Sequence, residues 1–423
     1  MVRIKENKEY VQDSPIEPLP LPARVYIPLI QHLGKVCNPE VRSGDLVNLG
    51  QRIAGSDATV CALVHSSVSG KVVSLQDYVH PVLGKARAIV IDRDSGQQQW
   101  QGNLKSEEEV SLLKPREIIK IVQDAGIVGM GGASFPTHIK LNPAKPLDIL
   151  IINAAECEPY LAADYRLMLE KTEELFSGIR LVAKCLGVRK VYIGIEENKS
   201  LAVKKFLDNR SGFIVKVLES VYPQGGEKQL LQSILGKEIP RGKFPFDIGV
   251  VVQNIATIYA IYEAVYKNKP LYERVVSVTG SCLSNPKNLL VRVGTPVKEL
   301  IDFCGPLKEE PVKIITGGPM MGISQFTDDV PIIKSTNGVL LLNKEESRVL
   351  EEDACIRCAA CVRACPVGLM PCLINLAVEK RLWSLAKEYA ASDCIECGLC
   401  SYVCPANRNL VQSIKMAKLQ AVA

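Results

Sequence analysis

Residues Val128–Leu141 read VGMGGASFPTHIKL, a glycine-rich stretch that decides how the centre of the chain folds. In a dinucleotide-binding fingerprint such glycines follow a strand and open a helix, and an acidic residue comes about 20 positions later. Here the preceding segment, PREIIKIVQDAG, has its apolar residues at helical spacing. A helix is therefore predicted before the glycines, and we expect another kind of cradle for an anion or a cofactor. The alternative is that Gly126 and Gly129 only end that helix.

The segments around this loop alternate between strands and helices. We interpret LDILIINA, KVYIGIEE and FDIGVVVQN as buried strands, and FSGIRLVAKCLG and EKQLLQSILG as helices. Continuous apolar strands between helices indicate a parallel sheet that is covered on both faces. The sequence predicts one such α/β domain over residues 112–268.

Two β-rich regions flank this domain. Residues 23–95 alternate short strands with glycine turns and resemble the barrel-sandwich hybrid of lipoyl and biotinyl domains. No lysine stands at the hairpin tip to carry a modification, so a structural or docking role is expected. Residues 270–342 resemble a small SLBB-like β-grasp module. Residues 1–22 are polar and proline-rich, and we expect an extended arm on the surface.

Composition excludes several classes of protein. The chain has 423 residues, enough for about three domains, and a net charge of +5 with scattered basic residues, so nucleic acid is not an expected partner. No apolar run reaches the roughly 18 residues that span a bilayer, and Gln253 and Asn254 interrupt the longest candidate. The first residues have no secretory apolar region. We expect a cytoplasmic protein that reaches a membrane only through partner subunits.

Eight of the 15 cysteines form two runs of the pattern C-x2-C-x2-C-x3-C-P in residues 346–415. Bacterial ferredoxins hold two [4Fe–4S] clusters with this spacing, and the fourth cysteine of each run binds the other cluster. Structural zinc sites are the alternative, but they usually use two C-x2-C pairs. The predicted ligand sets are Cys355, Cys358, Cys361 and Cys404 for one cluster, and Cys394, Cys397, Cys400 and Cys365 for the other. The segment LINLAVEKRLWSLAKEYA between the runs has helical periodicity and predicts a helical ferredoxin-like domain.

The remaining cysteines and the histidines give no such pattern. We interpret the seven single cysteines as small buried apolar residues: Cys37, Cys61, Cys157, Cys185, Cys282, Cys304 and Cys372. The four histidines are isolated, with no pattern of carboxylates or cysteines around them, and three of the four are interpreted as surface or packing residues: His32, His65, His80 and His138.

Four segments together resemble a known flavin site. VGMGGASFPTHIKL, INAAECEPY, YPQGGEKQLLQSILG and QNIAT are similar, in that order, to the segments that bind FMN and NADH in the flavin subunit of respiratory complex I. The whole chain most resembles the RnfC family, the C subunits of the Rnf electron-transport complex. This resemblance implies a multidomain α/β fold with a barrel-sandwich domain, a flavin domain, a β-grasp module and a two-cluster ferredoxin domain.

The resemblance also implies roles for individual residues. A loop over the flavin and its phosphate is assigned to Gly129, Gly131, Gly132 and Thr137. Phe135 would stack on the nucleotide, and Lys140 would lie near the phosphate. The remaining positions are Asn153 and Glu156 below the flavin, Tyr222 and Gly225 beside the ring, Asn254 and Thr257 at the ribityl phosphate, and Glu158 and Glu227 at NADH. Ala155 replaces an aspartate of the complex I pattern, which puts one flavin contact in doubt.

The resemblance implies an enzyme that exchanges hydride with NAD(H) at FMN and passes single electrons through two [4Fe–4S] clusters. It would be the NADH dehydrogenase subunit of a ferredoxin:NAD oxidoreductase complex, with ferredoxin as an indirect partner. No side chain is expected to act as a general base. One alternative is an NADH-oxidising module of a methylenetetrahydrofolate or corrinoid reductase, which the missing Gly-Gly-x-His-Pro segment favours. Another is a docking protein with structural clusters.

Overall fold

The computed structural model describes residues 1–96, 98–209, 212–348 and 350–422. The chain begins with an arm that contains a 3-10 turn at Lys8–Tyr10 and strand β1 (Ile16–Pro18). The arm lies on other parts of the protein, because Val2 pairs with Tyr222 and the buried amine of Lys8 donates to the carbonyls of Glu156 and Glu158. The arm is thus integrated into the fold.

The first β-rich unit has two small sheets with the order β2-β8-β7-β4 and β3-β5-β6. Their inner faces meet in a core that includes Ile27, Ile53, Val64 and Ile89. Strands β7 and β8 form a long antiparallel hairpin, which supplies most of the paired residues of the first sheet. The strands are β2 (Arg24–Pro28), β3 (Asn38–Pro39), β4 (Leu46–Val47), β5 (Arg52–Gly55), β6 (Val64–His65), β7 (Gly70–His80) and β8 (Gly84–Arg93).

The central α/β unit contains the parallel sheet that was predicted. Its elements are α1 (Glu107–Leu112), α2 (Pro115–Asp124), α3 (Thr137–Lys140), β9 (Ile149–Ala154), α4 (Ala163–Glu170), α5 (Thr172–Leu186), β10 (Lys190–Glu196), α6 (Ser200–Asp208), β11 (Ile214–Leu218), α7 (Glu227–Leu235), β12 (Val250–Asn254) and α8 (Ile255–Lys267). Helix α2 ends just before the glycine-rich stretch, as its periodicity predicted.

The order of strands in this sheet is β11-β10-β9-β12, and all neighbours are parallel. After β9 the chain adds β10 and β11 on one side of β9, and it then places β12 on the other side. The direction of strand order therefore reverses between β9 and β12. Side chains such as Ile152 and Ile193 pack on one face, and Ile151 and Val252 pack on the other. In open α/β sheets, ligands bind beyond the carboxyl ends of the strands at such a switch point.

A second sheet has the order β1-β14-β13-β17-β15-β16 and carries one helix. The arm completes it, because β1 pairs in parallel with β14, and the Lys287 amine donates to the Glu17 carboxylate at 2.7 Å. Its other elements are β13 (Glu273–Thr279), β14 (Lys287–Arg292), α9 (Val297–Phe303), β15 (Lys313–Thr316), β16 (Ile323–Gln325) and β17 (Gly338–Leu342).

The C-terminal unit is helical, as predicted. The segment between the cysteine runs forms two helices rather than one continuous helix, because the chain turns at Arg381, whose φ is 56°. The helices are α10 (Ala360–Ala364), α11 (Pro371–Glu379), α12 (Trp383–Glu388), α13 (Leu399–Tyr402) and α14 (Leu410–Val422). Among the described residues, no helix is both long and apolar enough to cross a membrane.

Candidate functional site

The ends of β9 and β12 place two asparagines at the switch point of the parallel sheet. Asn153 and Asn254 are register partners on adjacent strands. The Asn254 side-chain oxygen accepts from the backbone N–H groups of Ala256 at 2.9 Å and Thr257 at 3.2 Å, so it caps α8. A helix N-terminus concentrates partial positive charge and unpaired N–H groups, which favour a phosphate. The end of β12 is therefore a candidate anion site.

The glycine-rich stretch closes into a loop above this helix end. Val128 and Pro136 form a bridge, and the Gly129 N–H donates to the Phe135 carbonyl at 2.9 Å. The Met130 N–H donates to the hydroxyl oxygen of Thr257 at 2.9 Å, which ties the loop to α8. The loop is thus held at both ends, while residues 131–133 between them are exposed.

Two observations show that this loop suits a flavin phosphate. A Cβ at Gly132 would meet no atom within 4 Å, so the space in front of this residue is open. The hydroxyl of Thr137 is buried and has no hydrogen-bond partner among the described residues. A buried polar group without a partner is costly, and a phosphate or ribityl oxygen would satisfy it. The residues present therefore fit FMN.

The predicted floor of the site is assembled from two segments that are distant in the sequence. The Asn153 side-chain amide donates to the Gly225 carbonyl at 2.8 Å, and the Gly225 N–H donates to the Cys157 sulfur at 3.2 Å. Ala155 is fully buried beside them. The structure thus brings the segment after β9 against the segment before α7, as the resemblance implied.

Glu156 has a different environment from the one expected of a flavin contact. Its carboxylate accepts from the N–H groups of Asp164 at 2.8 Å and Tyr165 at 3.1 Å, and so holds the first turn of α4. Asp164 itself accepts from the Asn254 amide at 2.7 Å. Sequence reasoning missed Asp164, since its position in a polar helix start gave no signal. It links α4 to the anion site.

Asp164 gives the site a testable dependence on pH. Burial, and then the nearby charge of Glu156, raise the pKa of Asp164 from 3.8 to about 7. The folded protein therefore holds a proton that the unfolded chain releases between these values, so this group makes stability fall as pH rises from about 4 to about 7. Asp164→Asn is expected to raise the melting temperature of flavin-free protein more at pH 8 than at pH 5. Replacement of the exposed Asp57 by asparagine is the control, and an equal gain at both pH values would contradict the argument.

Lys140 and Glu227 lie together at the mouth of the site. Their side chains form an ion pair at 3.0 Å, and each is about one third exposed or more. The Lys140 amine also lies 3.3 Å from the Val252 carbonyl. Glu227 is the first residue of α7, with Gly226 as its N-cap. The pair is partly solvated, so its own contribution to stability is small, and both groups are accessible to a ligand.

Glu158 connects the flavin unit to the β-grasp module. Its carboxylate accepts from the N–H groups of Met320 at 2.7 Å and Met321 at 3.1 Å. It also accepts from the Tyr222 hydroxyl at 3.4 Å. Burial raises the pKa of Glu158, although these two backbone donors oppose the shift. In this structure the residue holds a loop of the module against the flavin unit.

Four cysteines converge on one cavity in the helical unit. Cys365, Cys394, Cys397 and Cys400 line one small pocket together with apolar side chains such as Ile395 and Ile414. This is the ligand set predicted for the second cluster, three cysteines of one run and the last of the other. Four thiolates around an apolar cavity fit a [4Fe–4S] cluster.

The cysteines of the other predicted ligand set are, as a group, more exposed to solvent. Cys355 and Cys358 are exposed in a segment without regular structure, and Cys361 is buried. Burial, and then the neighbouring Cys372, raise the pKa of Cys361 to about 11, and Cys404 acts in the same direction. Cys404 therefore lies near Cys361 of the first run, and Cys372 is an additional thiol beside Cys361.

Tyr222 joins the flavin site to the second-run cavity. Its hydroxyl donates to the Cys397 carbonyl at 2.9 Å, and its ring is almost fully buried. A second contact comes from α7, where the Gln229 amide lies 3.2 Å from the Pro366 carbonyl. The cavity lined by Cys394, Cys397 and Cys400 is thus the one adjacent to the predicted flavin position.

The interpretation of His32 as isolated from cysteines is wrong. His32 is buried beside Cys37 and Cys61, which are separated from it by 5 and 29 positions in the sequence. Of the single cysteines, Cys37, Cys61, Cys282 and Cys304 are buried as expected, whereas Cys157, Cys185 and Cys372 are partly exposed. The sequence offers no periodic signal for this convergence, because it depends on two loops.

Family models match four consecutive parts of the chain. They are the RnfC Barrel sandwich hybrid domain at residues 2–96, the Nuo51 FMN-binding domain at 122–263, the SLBB domain at 275–324 and the 4Fe-4S dicluster domain at 347–412. The predicted architecture is therefore confirmed, with each unit in the expected order.

Among known structures, the NAD+-reducing [NiFe]-hydrogenase in the H2-reduced state is similar in fold. The TM-score is 0.51 at 19% identity, over 73% of this chain and 63% of that chain.

Curated relatives match almost the full length. The chain is 46% identical to the C subunit of the proton-translocating ferredoxin:NAD(+) oxidoreductase complex of Clostridium ljungdahlii, over 98% of this chain and 91% of the relative. It is 42% identical to the C subunit of the Na(+)-translocating ferredoxin:NAD(+) oxidoreductase complex of Acetobacterium woodii, over 99% and 95%. It is also 42% identical to the C subunit of the ion-translocating oxidoreductase complex of Rhodobacter capsulatus, over 97% and 80%. With this identity over nearly its whole length, the chain belongs to the RnfC family.

Proposed function

We propose that this chain is the NADH dehydrogenase subunit of an Rnf-type ferredoxin:NAD oxidoreductase complex. The observation that carries the proposal is the position of Tyr222, which contacts the Cys397 backbone at 2.9 Å and lies in the segment that closes the flavin site. One residue thus borders both the site of two-electron exchange and a cluster cavity. The near-full-length relatives named as C subunits of such complexes support the same role.

FMN would be held mainly by groups of the backbone. The exposed residues Gly131 and Gly132 and the N-terminus of α8 would hold its phosphate, and the Thr137 hydroxyl would supply a further donor. Asn153 orients the floor through its bond to Gly225. When bound, FMN accepts a hydride equivalent from NADH and releases electrons one at a time. The chain's contribution is to position two rings face to face and to exclude water, so it needs no general base.

Glu227 and Lys140 are the residues best placed to meet NADH at the mouth of the site. The carboxylate can accept from a ribose hydroxyl or from the carboxamide, and the lysine holds it in place at 3.0 Å. Glu158, in contrast, is occupied by Met320 and Met321. We propose that Glu158 acts by fixing the β-grasp loop over the nicotinamide, and that Glu227 makes the direct contact.

Glu227→Gln tests the direct contact. Loss of one charge-assisted hydrogen bond costs about 1.5 kcal/mol, so we expect NADH affinity to fall roughly tenfold, with FMN and iron content unchanged. Stopped-flow flavin reduction at varied NADH concentration measures it. Glu108→Gln is the matched control, since Glu108 also lies in the first turn of a helix but beside Glu107 at the far end of α8. An unchanged NADH dependence with a lowered melting temperature would show that Glu227 only stabilises α7.

Electrons would leave through the second-run cluster first and then through the first-run cluster. The second-run cavity adjoins Tyr222, whereas Cys355 and Cys358 of the first run are exposed. When bound, the two [4Fe–4S] clusters carry single electrons. The first-run cluster would then face the partner subunit that exchanges electrons with this chain. Ferredoxin would be reached through that partner.

The proposed location is the cytoplasmic face of a membrane, where partner subunits hold the chain. The test of the whole assignment is anaerobic affinity purification from the native cell, followed by mass identification of the associated chains. Recovery of membrane-embedded Rnf subunits, with NADH oxidation coupled to ferredoxin, is the expected result. Recovery of a methylenetetrahydrofolate or corrinoid reductase instead would replace the proposal by that alternative.

A further inference from the structure

A cluster of three metal-binding side chains lies in the barrel-sandwich unit, far in sequence from the cysteine runs. A ring nitrogen of His32 and the sulfurs of Cys37 and Cys61 all lie within 4.8 Å of one another. The two sulfurs are 3.4 Å apart. The exposed fractions are 7% for His32, 2% for Cys37 and 6% for Cys61. The three side chains come from two loops, one after β2 and one before β6.

The hydrogen bonds of His32 leave one ring nitrogen free for a ligand. Its Nε2 lies 3.0 Å from the Lys35 carbonyl. A carbonyl oxygen can only accept, so Nε2 carries the proton and Nδ1 has an unshared electron pair. Nδ1 is buried and has no hydrogen-bond partner among the described residues. A histidine whose outer N–H donates to a backbone carbonyl while its other nitrogen is free has the arrangement typical of a metal ligand.

The sulfur geometry fits a metal better than it fits a disulfide. A disulfide requires about 2.05 Å between the sulfurs, which is far below the observed 3.4 Å. Two thiolates bound to tetrahedral zinc, with Zn–S distances of about 2.3 Å, lie roughly 3.8 Å apart. Cys37 now directs its thiol to the Ala62 carbonyl at 3.3 Å. Only small movements of these side chains are needed to place a cation between them.

We propose that His32, Cys37 and Cys61 bind one Zn²⁺ ion or a similar thiophilic divalent cation. The ion displaces the two thiol protons, which leave to solvent, and the two thiolates balance its charge. Three protein ligands leave a fourth position for water or a small external ligand.

The position of this site relates it to the glycine-rich loop. The Leu33 N–H, next to His32, donates to the carbonyl of Ser134 at 3.2 Å. The Lys334 amine donates to the carbonyls of Leu63, next to β6, and of Gly126 at the end of α2. A metal joining the two barrel loops would therefore fix the surface against which the loop at 128–136 is seated. The metal site does not rest on the proposed function, because all three of its ligands lie in the barrel-sandwich unit.

Metal content of the full chain tests the proposal. Anaerobically prepared protein from zinc-supplemented cells is passed through a mild chelator, and zinc and iron are then measured by mass spectrometry. We expect about one zinc per chain beside the iron of the clusters, and no zinc in C37S/C61S. C282S/C304S is the matched control, since Cys282 and Cys304 are also buried in an apolar core, and it should retain the zinc.

X-ray absorption at the zinc edge identifies the ligands. The expected first shell has two sulfurs at about 2.3 Å and nitrogen or oxygen at about 2.0–2.1 Å. His32→Ala should weaken zinc binding, measured by competition with a chelating dye, by more than the roughly 10- to 100-fold that loss of an outer contact causes. The His32→Ala variant also tests the zinc site if C37S/C61S does not fold. Zinc with four sulfurs, zinc retained in both variants, no zinc in the unaltered protein, or a mass two units lower from a Cys37–Cys61 disulfide would each overturn the proposal.

Discussion

Replacing Cys404 with serine is expected to remove about four of the roughly eight irons that two [4Fe–4S] clusters contain, and to abolish electron delivery to an external acceptor. Flavin reduction by NADH should persist. Cys404 lies near Cys361, whereas the proposed flavin site adjoins the second-run cavity through Tyr222. Iron analysis and anaerobic stopped-flow absorbance measure the two effects separately.

The order of the clusters gives this prediction a sharper form. In Cys404→Ser the remaining cluster adjoins Tyr222, so NADH should still reduce it. In Cys397→Ser the cluster that adjoins Tyr222 is lost, so NADH should bleach the flavin and leave the first-run cluster oxidised. Cys372→Ser is the control, because Cys372 lies beside Cys361 but outside both runs. Equal cluster reduction in the first two variants would contradict the proposed order, and zinc in place of iron would contradict the cluster assignment.

Gly132→Val is expected to weaken FMN binding about a hundredfold. A Cβ at this position meets nothing within 4 Å in the flavin-free protein, and its φ lies outside the left-handed region. The added methyl groups therefore cost little in folding, but they would occupy the space that faces the flavin. Overpacking a filled site costs up to about 3 kcal/mol, which corresponds to roughly a hundredfold in affinity. Equilibrium titration with FMN measures the loss.

A neighbouring glycine separates this effect from damage to the fold. A Cβ at Gly131 would lie 2.8 Å from the side-chain nitrogen of Asn254. Gly131→Ala should therefore lower the melting temperature of flavin-free protein, while Gly132→Val should not. If Gly132→Val binds FMN as tightly as the unaltered protein, the loop does not cover the flavin, and the assignment of the whole glycine-rich stretch fails.

Patterns within short segments predicted much of this structure. The helix before the loop follows from apolar residues at helical spacing, and the parallel sheet follows from continuous apolar strands such as Ile149–Ala154. The spacing of the cysteine runs predicted ligand sets from both runs, and the structure places Cys365 with Cys394, Cys397 and Cys400. Each of these signals arises from a local constraint, so a single sequence is enough to show it.

Contacts between distant segments could not be predicted in this way. The Lys8 amine reaches the carbonyls of Glu156 and Glu158 across about 150 positions, and nothing in the arm indicates a buried lysine. His32 and Cys61 meet only because two loops of small sheets adjoin. The role of Glu158 in holding Met320 likewise depends on how two units pack. Such contacts are determined by the tertiary structure and produce no periodic pattern of residues in the sequence.

The pairing of β1 with β14 has a consequence for how the chain is made. Glu17 and Lys287 are 270 positions apart, so a ribosome synthesises the edge strand of this sheet long before its partner. Contacts of such large sequence separation form slowly, because the loop they close is long. During synthesis the arm must stay unpaired while the barrel and the parallel sheet fold after it.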